Sequence, residues 1–189
     1  MKFDPKIDHR RSSRLKGYDY SQAGAYFVTI VTWQREMLFG EIVNEETPQG
    51  GVMKLNEFGQ IVHEKWQWLE TQYKYVTLGA WVVMPNHFHG ILMIDNHGRG
   101  GSRPAPTPIK PLGGLIGAFK TVSSKQINIL RKTDGIPVWQ RNYYEHIIRN
   151  EREMDNIHRY IESNPARWND DDENPNNSHV GATRESPLP

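Results

Sequence analysis

Short apolar runs alternate with longer amphipathic stretches along this chain, and the alternation predicts its elements. Residues 25–32 (Ala-Tyr-Phe-Val-Thr-Ile-Val-Thr) are rich in β-branched and aromatic side chains and read as a first core strand. Residues 39–43 and 52–55 flank the turn signal Gly50-Gly51 and predict a small peripheral hairpin. From about 56 to 73, Phe58, Ile61, Val62, Trp66, Leu69 and Tyr73 recur at three- and four-residue steps, which makes one apolar helix face. Asn56 suits the cap of that helix, and Gly59 weakens it slightly. Residues 75–84 and 87–94 are two further apolar runs, joined tightly through Pro85-Asn86 and so expected to pair antiparallel.

A second helix is predicted over about 112–131, with Leu112, Leu115, Ile116, Phe119, Val122, Gln126 and Leu130 as its stripe. Residues 138–140 and 143–148 read as a last, irregular strand. A third helix opens at Asn150, where Glu153 three residues later gives a capping-box pattern. It runs through Ile157 and Tyr160. Pro165 is expected to stop it, with Asn164 biased out of helical geometry by the following proline. The order is strand, helix, strand, strand, helix, strand and a terminal helix. That is an α+β, ferredoxin-like split βαβ plan, with a central antiparallel sheet, two packing helices and one C-terminal helix. The first and third core strands then lie at the centre of the sheet.

Composition narrows the chemistry. A length of 189 residues suits one domain with one sizeable core. With no cysteine, the chain has no disulfide, thiolate nucleophile or Cys-type metal site, and it fits a reducing compartment. No apolar run approaches the roughly 20 residues of a membrane span. The charged N-terminus lacks the apolar core of a signal peptide, so the expectation is a cytoplasmic protein with no membrane partner. Net charge is only +1 but uneven: residues 1–20 carry six Lys/Arg against three acids, and residues 169–189 one Arg against five acids. The expected organisation is a basic flexible arm (1–20), a folded domain (21–168) and an acidic disordered tail (169–189). Residues 95–111, rich in Gly and Pro, read as a surface loop.

Candidate chemistry gathers at His87-Phe88-His89. Strand alternation puts both imidazoles on one side and Phe88 on the other, which makes half of a metal site. Such a pair in an arbitrary strand is more often two polar residues on a solvated face. Tyr160 and Asn164 are four apart and share a helix face. If that face lies on the sheet beside His87 and His89, one site holds two imidazoles, an amide oxygen and a phenol. That set suits Mg²⁺ or Mn²⁺, with room for phosphate oxygens. The phenol is a candidate nucleophile, although a tyrosine at this spacing is more often an amphipathic core residue.

Three blocks carry a resemblance. Residues 81–89 (Trp-Val-Val-Met-Pro-Asn-His-Phe-His) resemble the His-hydrophobic-His motif of single-tyrosine HUH transposases of the IS200/IS605 type, and more closely their REP-associated tyrosine transposase branch. Residues 138–150 (Val-Trp-Gln-Arg-Asn-Tyr-Tyr-Glu-His-Ile-Ile-Arg-Asn) resemble that branch's block before the catalytic helix. Arg159-Tyr160-Ile161-Glu162-Ser163-Asn164-Pro165 resembles its Tyr-Ile-x-x-Asn-Pro ending. The match spans about residues 26–168. It implies a C-terminal catalytic helix and metal-dependent nicking and joining of single-stranded DNA at palindromic, REP-like hairpins through a 5′-phosphotyrosine. By residue it implies Tyr160 as nucleophile, His87 and His89 as metal ligands, and Asn164 as a third, shorter ligand where relatives often carry Gln. It leaves open a monomer or a homodimer.

Trp139, Gln140, Arg141 and Arg149 are candidates for lining a DNA groove, and Arg10, Arg11, Arg14 and Lys16 for gripping hairpin phosphates. Tyr143 and Tyr144 are rival nucleophiles. Glu145 and His146 could touch the site or merely structure the last strand. Two other functions stay open at this level. One is a hairpin-binding domain that does not cut. The other is a metal hydrolase in which water attacks, although no carboxylate accompanies the two histidines in their motif.

Overall fold

A computed structural model describes residues 18–44, 51–95 and 109–177. Six strands and three α-helices follow in order: β1 (Gly24–Val31), β2 (Gly40–Asn44), β3 (Gly51–Leu55), α1 (Glu57–Gln72), β4 (Val76–Val83), β5 (His87–Ile94), α2 (Leu112–Leu130), β6 (Tyr144–Ile148) and α3 (Glu151–Ser163). Four strands form one antiparallel sheet in the order β4-β5-β1-β6. β2 and β3 form the separate hairpin. The α+β ferredoxin-like plan with a central antiparallel sheet is therefore present, and β5 and β1 occupy the middle of the sheet.

Strand alternation sorts the central residues onto two faces. Tyr26, Val28, Ile30, Phe88 and Leu92 join Ile61, Trp66 and Leu69 of α1 and Leu115, Ile116 and Phe119 of α2 in the larger core. Phe27 and Ile91 point the other way and pack on Ile148 and on Ile157 and Ile161 of α3. Trp66 is the hub of the first face, with ring centroids 4.6 Å from Phe88 and 5.3 Å from Phe119. Two glycines permit this closeness. A Cβ on Gly90 would sit 2.8 Å from Trp66 Cζ2, and one on Gly59 would strike the Phe39 carbonyl oxygen. Gly59 thus lets α1 lie against the chain entering β2, which outweighs its modest cost to the helix.

Local signals explain the ends of the helices. Asn56 Oδ1 accepts hydrogen bonds from the Phe58 and Gly59 amides. Asn150 Oδ1 accepts from Glu153 N at 2.9 Å, and the Glu153 carboxylate accepts from Arg149 N at 2.9 Å. The reciprocal half of the capping box is thus displaced by one residue.

Four expectations fail locally. The buried side of α2 follows Phe119 with Ser123 and Ile127, whereas Leu130 is 43% exposed. The stripe turns because Ser123 Oγ is satisfied internally, donating to Phe119 O and accepting from Trp139 Nε1. Residues 138–140 do not join β6; Trp139 forms only an isolated bridge to Thr32. Asn164 keeps helical geometry at φ −59°, ψ −43° despite the following proline. α3 itself does end at Ser163, before Pro165, which then starts a 3-10 helix (Pro165–Asp170). Finally, residues 169–177, expected to begin a disordered tail, form successive turns tied down by buried Trp168 and Asn174. Of that expected tail, residues 178–189 lie outside the described residues, as does most of the basic arm.

Candidate metal and tyrosine site

The α3 face of the sheet carries the site. His87 and His89 project there from β5, and both are buried. Their Nε2 atoms converge at 3.0 Å. The outer nitrogen of each ring is held by a neighbour: His87 Nδ1 lies 2.9 Å from Asn86 Oδ1, and His89 Nδ1 lies 2.9 Å from Thr29 Oγ1 on β1. Thr29 is in register with His89, so the sheet itself sets this contact.

α3 brings the phenol. Tyr160 Oη is 3.3 Å from His89 Nε2, with ring centroids 5.2 Å apart. Phe27 backs both rings, stacked on His89 and edge-on to Tyr160. One turn later the buried Asn164 amide lies beside His87 and Tyr160, while its Oδ1 makes no hydrogen bond. The chain after α3 adds a carboxylate. Asp171 Oδ1 accepts from Glu173 N at 2.7 Å, and Oδ2 faces His87 Nε2 at 3.8 Å. His87, His89 and Asp171 each offer a ligand atom within 4.8 Å of the others.

Burial governs the protonation states. It lowers the His87 pKa to about 3, helped by the Arg35 guanidinium and opposed by Asn164. His89 is likewise pushed well below the usual histidine range by burial, then by His87. Both imidazoles are therefore neutral at pH 7. The Tyr160 phenol is pushed up by burial and then by Asp171, so it keeps its proton at neutral pH.

These donors fit a divalent cation. Two ligand atoms each about 2.1 Å from one ion and at right angles to each other stand about 3.0 Å apart, the spacing of the two imidazole nitrogens. The carboxylate adds a compensating charge, and the orphaned Asn164 oxygen is a further buried donor without a partner. His87, His89 and Asp171 would hold the ion, with Asn164 in reserve.

Residues 165–177 close over this arrangement. Trp168 lies against His87 at 6.0 Å between ring centroids. Asn86 Nδ2 donates to Glu173 O at 2.7 Å. Arg35 donates to Asp172 O and pairs with the Glu173 carboxylate at 3.1 Å.

Other candidate residues lie elsewhere. Trp139 is buried between Phe39 and Phe119, with its indole N–H on Ser123, so it is a core residue and lines no groove. Gln140 is half-buried, with its backbone N–H donating to Val31 O. Arg141 and Arg149 are exposed. Tyr143 packs under the Lys120 ammonium, and Tyr144 sits on β6 in register with Thr29. Glu145 is in register with Val28, and His146 faces Glu153 at 3.5 Å. Arg10, Arg11, Arg14 and Lys16 lie outside the described residues. Sequence reasoning missed Asp171, Asn86 and Thr29. For Asp171 the available signal was Trp168, a large apolar anchor just before the acidic run.

Among the described residues no helix is long and apolar enough to cross a membrane. No family model matches the chain. Over 180 residues the chain is 35% identical to a protein of Haemophilus influenzae described as uncharacterized, a match covering 90% of this chain and 96% of that one. Its structure is similar to that of a REP-associated tyrosine transposase bound to a REP hairpin, with a TM-score of 0.51 and 18% identity over 83% of this chain and 74% of the other. The chain thus belongs to one family with the Haemophilus influenzae protein and is built on the fold of a REP-associated tyrosine transposase.

Proposed function

We propose that this protein is a metal-dependent transposase-type enzyme that nicks single-stranded DNA beside a hairpin and transfers the strand through Tyr160. The observation that carries the reading is the meeting of the Tyr160 phenol with the paired imidazoles, at 3.3 Å from His89 Nε2. The hairpin as substrate follows the similar structure, which is bound to a REP hairpin.

Tyr160 Oη attacks the scissile phosphorus. The bond from phosphorus to the 3′ oxygen breaks, and the phenol proton ends on the released 3′-hydroxyl. The DNA stays joined to Tyr160 as a 5′-phosphotyrosine ester, and an incoming 3′-hydroxyl reverses the step to rejoin strands. A divalent ion held by His87, His89 and Asp171, Mg²⁺ or Mn²⁺ by donor type, would supply charge stabilisation at the phosphate. The chain's own contribution is positional. Phe27 fixes the phenol and the His89 ring against each other, and Thr29 orients His89. Asn164 beside the phenol opposes the rise that burial imposes on its pKa. Arg141 and Arg149, both exposed, are the side chains assigned to phosphate contact in this reading. His87 is fully buried with Trp168 against its ring, so a phosphate reaches the site only by a local opening that leaves Asp171 in place.

Asp171 also favours a second reading, hydrolysis by water, because it supplies the carboxylate base absent from the histidine motif. One experiment separates the two. The protein is incubated with Mn²⁺ and a labelled hairpin oligonucleotide bearing single-stranded flanks, then run on a denaturing gel. Strand transfer predicts a covalent adduct that Tyr160→Phe abolishes while hairpin binding persists. Cleavage without adduct identifies the hydrolase, and binding alone identifies a domain that only grips DNA.

A further inference from the structure

The two nitrogens of the His87 ring have different neighbours, and the difference determines where its proton sits. Nε2 faces His89 Nε2 at 3.0 Å and Asp171 Oδ2 at 3.8 Å. Nδ1 faces the Asn86 amide, with Oδ1 at 2.9 Å. That amide cannot be turned round. Its nitrogen donates to the Glu173 carbonyl at 2.7 Å and points at the Arg35 carbonyl at 3.4 Å, and carbonyl oxygens only accept. The atom beside His87 is therefore the amide oxygen, which also only accepts. A neutral His87 has one ring proton, and this neighbour requires it on Nδ1. Nε2 is left with a bare lone pair aimed toward His89.

We propose that Asn86 is a positioning residue of the site: it takes the Nδ1–H hydrogen bond of His87 and so presents His87 Nε2 as an unprotonated ligand to a divalent cation. The inference rests on the reading of His87, His89 and Asp171 as a cation site. Asn86 is fully buried in the turn between β4 and β5, which fixes the ring's orientation as well as its tautomer. Its amide nitrogen joins the same turn to residues 35 and 173, so one side chain couples the tautomer to the segment that supplies Asp171. Thr29 has no equivalent authority at His89, because a hydroxyl can either donate or accept.

The test has two parts. Long-range ¹H–¹⁵N NMR of histidine-labelled, chelator-treated protein reads the tautomer directly. The Nδ1–H form is expected at His87, and an Nε2–H form overturns the inference. Calorimetric titration with Mn²⁺ then compares variants. Asn86→Leu lacks the acceptor and is expected to bind roughly ten- to a hundred-fold more weakly. Asn86→Asp keeps the acceptor at Nδ1 but loses the donor to Glu173 O, so its readout is the tautomer: the Nδ1–H form is expected to persist at His87. A folded Asn86→Leu that binds like wild type overturns the inference, as does an Nε2–H form in Asn86→Asp. Should the leucine variant not fold, the NMR spectra of wild type and of the aspartate variant decide. Wild-type protein that binds no Mn²⁺ overturns the cation reading itself, a failure told apart from an Nε2–H spectrum because the two are measured separately.

Discussion

His87 and His89 show how a residue's meaning depends on what surrounds it. Exposed on a strand, they would titrate near pH 6.5; buried on the α3 face, His87 has its pKa lowered to about 3. That shift has a consequence for stability. Between pH 6.5 and about 3 the unfolded chain binds a proton at His87 that the fold does not, so stability is complete above pH 6.5 and falls as the pH drops through this window. With chelator present, the urea midpoint is expected to decline from pH 6.5 to 4. A His87→Gln variant should lose part of that slope, and equal slopes for the two proteins would contradict the assignment.

At the scale of elements, the informative feature is the chain after α3. Asn164 remains helical before Pro165, and the 3-10 helix (Pro165–Asp170) carries Trp168 back onto His87. Trp168 is only 8% exposed, so its truncation removes a large apolar contact and loosens the turns that aim Asp171. Trp168→Ala is expected to cost about 3 kcal/mol in chemical denaturation and to weaken Mn²⁺ binding as well. Lost stability with unchanged Mn²⁺ affinity would mean that Asp171 is no ligand. The elements on the other side of the sheet have a different task. α1 and α2, packed through Trp66 and Phe119 onto Phe88, make β5 a rigid platform on which two imidazoles hold a fixed separation.

For the whole molecule, the site joins segments distant in sequence: β1 through Thr29, β5 through His87 and His89, α3 through Tyr160, and the following turns through Asp171. A ligand that binds only when all of these are assembled stabilises the complete fold. Mn²⁺ at about a hundred times its dissociation constant is expected to raise stability by about 2.7 kcal/mol. Thermal unfolding with Mn²⁺ and with chelator checks this, and the double variant His87→Ala/His89→Ala should lose the difference.

The sequence by itself determined the order of elements, the central place of β5, the common side of His87 and His89, and the cap of α3. Each of these follows from local periodicity or from side chains within four residues of one another. The tertiary structure alone decided that Trp139 is core, that Ser123 replaces Val122 on the buried side of α2, and that Asp171 and Asn86 belong to the site. An acidic run after a proline has the composition of solvated chain. It becomes part of a metal-type site only because Trp168 finds a buried seat beside His87, a contact between residues 81 positions apart that no local pattern encodes.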